Sequence, residues 1–503
     1  MKTKKFAVLL FTLILALGLF PMSVFAAQST VTPTSTASIT IDNAVENDEL
    51  AAYKVVDITY NATSNHVSYA WNSAFADYFA QTNSVTNSAN QTYTVEQFAA
   101  LTDDSDALKT LLAGLPNYIA NKAIAPVDTQ TVASGGTATF ADLAMGEYFI
   151  RPTSSTSVYQ LMLQKIEPKV EEDSEGNPGY VIDDVTFTAK KEEVTITKTA
   201  DKTSVTKNEK VAYTVTVDIP TYGTGATDKS FYVSDLLDNG LTLDTASIAV
   251  KIDGAAVDAA AYTLDTTATA DYTFKLSVST QQYTDSWANE GGKQLVITYT
   301  ATLNNDNTTA VNTKETNTAT FDYSNYPYVV NSHKQKTDAV DVTTFAIKID
   351  KYVDGSPTTK LSGAKFDLYR TATDAEIAAG GTETIPHTTI NGIKLESDVV
   401  TNASGVATFE KYEANGTKYD YYLVETQAPH GYNILAEAVK VNFTDTDVEA
   451  TDGVYTVEVP NSSGITLPIT GGEGIVIFTV IGIALMVGAV ILFVIFRKKA
   501  KTK

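Results

Sequence analysis

The chain has 503 residues, a formal net charge of −23 and no cysteine. The absence of cysteine excludes disulfide bonds, zinc–thiolate sites and thiol nucleophiles, and the acidic balance argues against nucleic-acid binding, which needs clustered Lys and Arg. So long a chain exceeds a single hydrophobic core, and the abundance of Thr, Val and Tyr predicts about three mostly β domains.

The first 26 residues have the parts of an export signal. Basic residues precede an apolar run over 6–19, and Val24 and Ala26 place small side chains at a cleavage site. We therefore expect this segment to be removed from the mature chain. The predicted order of segments is a signal peptide (1–26), an N-terminal domain (27–190), a middle domain (191–344), a C-terminal domain (345–464) and a sorting segment (465–503).

The N-terminal domain is predicted to be β-rich with a helical insertion. The segment 95–122 has helical spacing of its leucines, with Asp104 or Ser105 as the N-cap and Gly114 as a stop. Alternating apolar residues predict strands on both sides of this insertion, at 38–41, 50–58, 137–140 and 147–151.

The end of the N-terminal domain presents a lysine to solvent. Val185, Phe187 and Ala189 alternate with polar residues, so strand geometry puts Lys190 on the opposite face. The segment resembles the pilin motif of sortase-assembled pili, with Ala-Lys where that family has Pro-Lys. The resemblance implies that Lys190 accepts the next subunit, at a domain junction where we expect few packed contacts. One alternative is that the neighbouring Lys191 is the acceptor. The other is that the two lysines are an ordinary basic pair in an interdomain linker.

The middle and C-terminal domains share one plan. Each begins with an alternating strand that carries an inward lysine, Lys198 or Lys351, and each ends with an inward asparagine, Asn317 or Asn461. A lysine inside a core is costly unless it is neutral or paired. The alternative explanation is a lysine that extends to solvent at a strand end.

An acid lies between the lysine and the asparagine in each of these domains. The segment around Glu425, residues 422–432, resembles the E-box of collagen-adhesin B-type domains, and the segment around Asp235 resembles the acid loop of their A-type relatives. The resemblance implies tandem immunoglobulin-like β-sandwich domains. It also implies isopeptide bonds, promoted by these acids, between Lys198 and Asn317 and between Lys351 and Asn461.

The residue types suit that chemistry. Burial lowers the pKa of a lysine, which leaves a neutral amine, and it raises the pKa of a carboxyl group, which can then polarise an amide. Because each bond would join the first and last strands of its domain, we expect a pull along the chain to load the bond rather than the sheet. The N-terminal domain has Arg151 where an acid would be needed, which predicts no bond there.

The end of the chain has three parts: a pentapeptide, an apolar run over 475–496 and a basic tail. The run is long enough to span a bilayer as a helix, and its tail should stay on the cytoplasmic side. The order of parts resembles the LPXTG cell-wall sorting signal of Gram-positive surface proteins, which implies sortase cleavage between Thr470 and Gly471. A plain membrane anchor is the alternative. The pentapeptide consists of Leu467, Pro468, Ile469, Thr470 and Gly471.

Together these segments resemble the major (backbone) pilin of Gram-positive sortase-assembled pili. The resemblance implies a structural, non-enzymatic polymer subunit on the cell surface, covalently attached to peptidoglycan. We expect no cofactor, and neither an EF-hand loop nor a histidine cluster in the sequence indicates a metal site. Its implied partners are a pilin-polymerising sortase, a housekeeping sortase, further copies of itself, minor pilins and a host ligand. A monomeric wall-anchored adhesin is the alternative. An extracellular hydrolase is disfavoured because none of the histidines lies in a nucleophile motif. These are His66, His333, His387 and His430.

Overall fold

Strands account for about 50% of the chain and helices for about 15%, which confirms the mostly β prediction. The computed structural model describes residues 31–82, 93–101, 105–172, 176, 178–304, 314–415, 419–449, 451–463, 481–492 and 497. The predicted signal peptide and the pentapeptide at 467–471 lie outside the described residues. Three large hydrophobic cores follow one another along the chain, and we call them the N-terminal, middle and C-terminal cores.

The N-terminal core lies between a sheet of order β3-β2-β6-β8, with β4 also paired to β2, and a smaller sheet of order β11-β1-β5. Its strands are β1 (Thr36–Asp42), β2 (Glu49–Asn61), β3 (His66–Trp71), β4 (Asp128–Thr131), β5 (Ala138–Ala144), β6 (Gly146–Ser154), β7 (Val158–Tyr159), β8 (Met162–Ile166), β9 (Lys169–Glu172), β10 (Pro178–Val181) and β11 (Val185–Thr188). Its helices are α1 (Ala76–Thr82), α2 (Val95–Ala99), α3 (Asp106–Ala113) and α4 (Leu115–Lys122).

The helical insertion follows its predicted signals. Ser105 is the N-cap of α3, because its hydroxyl accepts a hydrogen bond from the Leu108 amide at 3.2 Å, and Gly114 follows the last residue of that helix. The alternative cap, Asp104, lies outside the described residues. The buried face of α3 includes Leu108, Leu111 and Leu112, so the apolar spacing packs this insertion onto the sheet.

The middle core is enclosed by two five-stranded sheets, of order β13-β14-β20-β16-β17 and β18-β19-β15-β21-β22. The strands are β12 (Lys191–Glu192), β13 (Ile196–Ala200), β14 (Lys210–Asp218), β15 (Phe231–Leu237), β16 (Leu241–Ile252), β17 (Ala255–Ala256), β18 (Thr263–Asp265), β19 (Phe274–Val278), β20 (Gln294–Leu303), β21 (Lys314–Ser324) and β22 (His333–Thr343). The middle core also has the short helix α5 (Thr280–Gln282), a 3₁₀ helix (Ala259–Ala261) and a π-helix (Tyr283–Trp287), and the last two contribute Ala261, Tyr283 and Trp287 to the buried cluster.

The C-terminal core also lies between two sheets. One has the order β24-β23-β28 with β31 parallel to β23, and the other has the order β26-β27-β25-β29-β30. The strands are β23 (Phe345–Val353), β24 (Ser356–Lys360), β25 (Lys365–Thr371), β26 (Glu383–Thr384), β27 (Asn391–Val400), β28 (Val406–Tyr412), β29 (Tyr421–Gln427), β30 (Val439–Val441) and β31 (Val454–Asn461). The helices are α6 (Asp374–Ala379) and α7 (Asp445–Glu449).

One expectation about strand order is wrong for the middle core. Asn317 lies on β21, and β22 follows it and pairs with β21 along its whole length. The alternation of apolar residues did not predict β22, because this strand lies at the edge of its sheet and has a mostly polar sequence. The expectation holds at the C-terminal core, where Asn461 lies on β31, the last strand among the described residues.

The expectation of few contacts between the first two cores is also wrong. The loop 325–332, which joins β21 to β22, packs against the N-terminal part of the chain. Tyr326 and Tyr328 form a small apolar cluster with Ala113 at the end of α3, and Asn325 donates a hydrogen bond to the Ser155 carbonyl at 3.0 Å. The aromatic content of this loop gives it apolar surface to bury, so the junction is packed.

The structure describes part of the predicted membrane span. A helix covers 481–492 within the expected run of 475–496. None of the helices in the described ranges is long and apolar enough to cross a membrane.

Candidate functional site

The middle site comprises Lys198, Asp235 and Asn317, which come from three strands of two facing sheets. The Lys198 ammonium contacts the Asp235 carboxylate and lies 2.6 Å from the hydroxyl oxygen of Tyr299. The same hydroxyl accepts a hydrogen bond from the Asn317 side-chain nitrogen at 2.8 Å. The structure therefore brings together all three residues that sequence reasoning selected.

Strand pairing explains how the middle site is assembled. Asp235 on β15 and Asn317 on β21 belong to neighbouring strands, where Leu237 is the register partner of Asn317. Lys198 lies on β13 in the opposite sheet, paired with Val215. Side chains that alternate inward from the two sheets therefore meet in the core between them.

Burial sets the protonation of the middle site. The side chains of Lys198 and Asp235 are fully buried. Desolvation lowers the pKa of Lys198 and raises the pKa of Asp235, against the attraction between their charges, so both shifts favour a neutral amine beside a protonated acid. Within the described residues the Oδ1 atoms of Asp235 and Asn317 have no hydrogen-bond partner, an arrangement that costs stability unless it serves chemistry.

The C-terminal site comprises Lys351, Glu425 and Asn461. The parallel pairing of β23 and β31 puts Val459 opposite Lys351, two residues before Asn461. The Lys351 ammonium contacts the side-chain oxygen of Asn461 and lies 3.4 Å from a carboxylate oxygen of Glu425. The Asn461 side-chain nitrogen lies 3.1 Å from both oxygens of Glu425. The acid thus faces both the amine and the amide.

The environment of the C-terminal site also favours a neutral lysine. Burial lowers the pKa of Lys351 to about 8, although the Glu425 carboxylate opposes the shift. The loop after the E-box adds two contacts: the Leu435 amide donates to Glu425 at 2.8 Å, and the Asn433 carbonyl accepts from Asn461 at 2.8 Å. Sequence reasoning missed both because they are backbone groups, which no side-chain pattern reports.

The N-terminal core has a partly exposed counterpart of these sites. Lys54 lies 3.0 Å from Asp57, whose carboxylate accepts a hydrogen bond from Asn72 at 3.3 Å. The Asp57 side chain is 39% exposed, against 0% for Glu425 and Asp235. Proximity is therefore present here without the full burial that the chemistry requires.

Lys190 and Lys191 have different environments. Lys190 is exposed, whereas the Lys191 side chain is 12% exposed and forms an ion pair with Glu193 at 2.6 Å. Lys190 also borders a groove of about 160 Å³ at the junction of the first two cores. The groove is lined mainly by apolar side chains, including Leu108, Leu112, Met162, Phe187 and Tyr328.

A serine–histidine–aspartate contact forms at the base of the loop 325–332. The His333 Nε2 atom lies 3.2 Å from the Ser230 hydroxyl and 3.3 Å from Asp228, and its Nδ1 atom lies 2.5 Å from Asp322. Burial lowers the pKa of His333, yet the hydrogen bonds and charges of the two aspartates outweigh burial and raise it overall. An imidazolium held between two carboxylates is not a general base. In the part of the chain that the structure describes, no His, Asp and Glu cluster could hold a metal ion.

Two protein families match the C-terminal half of the chain. The SpaA family, described as a prealbumin-like fold domain, matches residues 345–456, which span the C-terminal core. The LPXTG cell wall anchor motif matches residues 459–502. This second match covers the predicted sorting segment and places a cell-wall anchor at this end of the chain.

Similar proteins are pilus subunits. The fimbrial subunit type 1 of Actinomyces viscosus is 27% identical over 330 residues, which are 58% of this chain and 61% of that protein, so the match spans less than two thirds of its length. The T6 backbone pilin of Streptococcus pyogenes serotype M6 aligns with 86% of this chain and 100% of its own, at 18% identity and a TM-score of 0.57. The major pilin SpaA of Corynebacterium diphtheriae aligns with 85% and 100%, at 18% identity and a TM-score of 0.50.

These likenesses confirm the predicted fold class of tandem immunoglobulin-like domains. With the two family matches, they support a relationship to the backbone pilins of Gram-positive bacteria and a location at the cell wall. The roles of the individual site residues stay predictions.

Proposed function

We propose that this chain is the structural subunit of a covalent pilus whose shaft domains are closed by internal isopeptide bonds. In this proposal the three cores correspond to domains at 27–190, 191–344 and 345–464. The observation that carries it is the pair of fully buried lysine–acid–asparagine sets at the middle and C-terminal sites. Apolar side chains could fill these two positions more favourably, because burying a lysine and an acid away from water costs free energy. Two such buried sets in one chain therefore indicate a chemical role.

The proposed reaction joins Lys351 to Asn461 and Lys198 to Asn317. The neutral amine attacks the side-chain carbonyl carbon of the asparagine, a new nitrogen–carbon bond forms, and the bond to the amide nitrogen breaks. One proton passes from the amine to the departing nitrogen, which leaves as ammonia, and the buried acid carries the proton and polarises the carbonyl. The fold supplies the proximity that an uncatalysed amide exchange lacks.

Polymerisation is proposed to use Lys190. The cysteine of a pilin-polymerising sortase would attack the carbonyl of Thr470, release the segment that begins at Gly471, and pass the Thr470 acyl group to the Lys190 amine of the next copy. The exposure of Lys190 beside the groove supports this choice over Lys191, whose side chain is only 12% exposed. A housekeeping sortase would attach the finished polymer to peptidoglycan, and minor pilins would complete the fibre.

The test compares wall extracts from cells that make Lys190→Ala and Lys191→Ala chains, on a denaturing gel. We expect the Lys190→Ala extract to lose the high-mass ladder while its chain still folds, because an exposed side chain contributes little to packing. The Lys191→Ala control should retain the ladder. A ladder that survives the first change and disappears with the second would move the acceptor to Lys191. A wild-type extract without any ladder would contradict polymerisation and favour a monomeric adhesin.

A further inference from the structure

The two sites differ in how their acids reach the groups to be joined. At the C-terminal site, Glu425 faces both Lys351 and Asn461. At the middle site the Asp235 carboxylate contacts Lys198, but no described hydrogen bond joins it to Asn317. Aspartate is one methylene shorter than glutamate, and the Asn317 side-chain nitrogen donates its described hydrogen bond to the Tyr299 hydroxyl instead.

The Tyr299 hydroxyl lies between the Lys198 amine and the Asn317 amide. It lies 2.6 Å from the Lys198 nitrogen and 2.8 Å from the Asn317 side-chain nitrogen, so a single oxygen touches both nitrogens that the reaction exchanges. Its ring stacks on Tyr213 with a centroid distance of 5.4 Å and meets the edge of Phe274 at 5.0 Å. Because the ring is buried and held on two sides, the position of the hydroxyl is fixed.

We propose that Tyr299 is a catalytic residue of the middle site, which relays a proton from the Lys198 amine to the departing nitrogen of Asn317. The inference rests on the isopeptide bond proposed above and gives the two sites different proton paths. At the C-terminal site Glu425 contacts both groups and carries the proton, whereas at the middle site Tyr299 carries the proton and Asp235 keeps the polarising role proposed above.

The relay balances in protons. When the Lys198 nitrogen bonds to the carbonyl carbon, it must lose one proton, and the tyrosine oxygen that already accepts its hydrogen bond receives it. The amide nitrogen of Asn317 becomes a basic amine in the tetrahedral intermediate and takes the phenol's own proton. Ammonia then leaves, and Tyr299 is again a neutral phenol.

The environment of Tyr299 suits this role. Burial is the main cause that raises its pKa, so the phenol keeps the proton that the relay must donate. The neighbouring Tyr213 is the competing hydroxyl. Its hydroxyl interacts with the Asn317 side chain. The Lys198 nitrogen lies 5.3 Å from the centroid of its ring, and the described hydrogen bonds of that nitrogen go to Asp235 and Tyr299 instead.

The experiment follows bond formation in the full chain that carries Tyr299→Phe, which removes only the hydroxyl. Pulse-labelled chains are digested at intervals, and linked peptides are counted by mass spectrometry. We expect linkage of Lys198 to Asn317 to slow by about 100-fold or more, the usual range for a lost general acid–base group. Linkage of Lys351 to Asn461 in the same chain should proceed normally and serve as an internal control, as should both linkages in Tyr213→Phe.

A second variant separates chemistry from packing. Adding Asp235→Glu to Tyr299→Phe lengthens the acid toward Asn317, as at the C-terminal site, and we expect it to restore linkage at the middle site. Failure of this rescue, or a normal rate in Tyr299→Phe, would overturn the relay, as would an equal loss in Tyr213→Phe. A wild-type chain without the Lys198–Asn317 linkage would instead contradict the proposed function itself.

Discussion

Replacing Glu425 with glutamine tests the chemistry of the C-terminal site with little change in shape. The acid lies 3.4 Å from the Lys351 amine and 3.1 Å from the Asn461 nitrogen. Glutamine retains the size of the side chain but cannot donate and recover a proton. We therefore expect Glu425→Gln chains to fold with Lys351 and Asn461 in contact but unlinked.

The loss of stability follows from the loop that the bond would close. Lys351 and Asn461 are 110 positions apart in the sequence, and cross-linking a loop of that length is worth about 5 kcal/mol by chain entropy. For a domain of this size, about 5 kcal/mol corresponds to a fall in melting temperature of about 20 °C. The amine of Lys351 also stays buried, which destabilises the unlinked domain further.

Calorimetry of the full chain measures the melting temperature, and mass spectrometry of its peptides measures the fraction in which Lys351 is linked to Asn461. Glu458→Gln is the matched control, because this glutamate lies on the same strand with its side chain exposed, and we expect it to leave both the bond and the transition unchanged. A Glu425→Gln chain that still forms the bond would refute the assigned role of the acid. An unlinked chain whose melting temperature equals that of the wild type would refute the estimate from chain entropy.

Two further predictions concern the middle core. Because the raised pKa of His333 lies above its unfolded value of about 6.5, the charged ring adds stability that is fully present below about pH 6.5 and is lost as the pH rises through the folded pKa. The gap in urea midpoint between wild type and His333→Gln should therefore shrink from acidic to alkaline pH; a gap that is constant with pH, or equal for exposed His66→Gln, would contradict this. Under a pulling force, the residues from Asn317 to the end of the middle domain can unfold before the proposed bond bears the load, because the bond does not include strand β22. About 27 residues would then extend by roughly 90 Å. A single-molecule pulling trace without a step of this length would contradict the strand order.

Strand alternation predicted the inward lysine and asparagine of each buried site, the family resemblance identified the acids, and neither predicted the full geometry. Alternation placed Lys198 and Lys351 inside because a period of two leaves no other face for a side chain among apolar neighbours. It could not identify Tyr299, which also points inward from its strand, because alternation does not say which residues of two facing sheets meet across a core. That pairing depends on sheet order and register, which only the folded chain fixes.

The parts of the fold that sequence reasoning missed share a physical cause. The strand β22 has few apolar residues because it lies at a sheet edge, so its pattern resembles a loop. The loop 325–332 packs on α3 through tyrosines, although loops usually lie free on the surface. Both features are set by contacts between distant segments, whereas the cap at Ser105 is local and was predicted correctly.

The intact mass of the purified chain tests the central claim most directly. Each isopeptide bond releases one ammonia, and the two buried sites should each react, whereas the partly exposed set of Lys54, Asp57 and Asn72 should not. We therefore predict a mass lower than that of the mature sequence by two ammonia molecules, with linked peptides joining Lys198 to Asn317 and Lys351 to Asn461. A mass equal to that of the unmodified mature sequence would contradict the account.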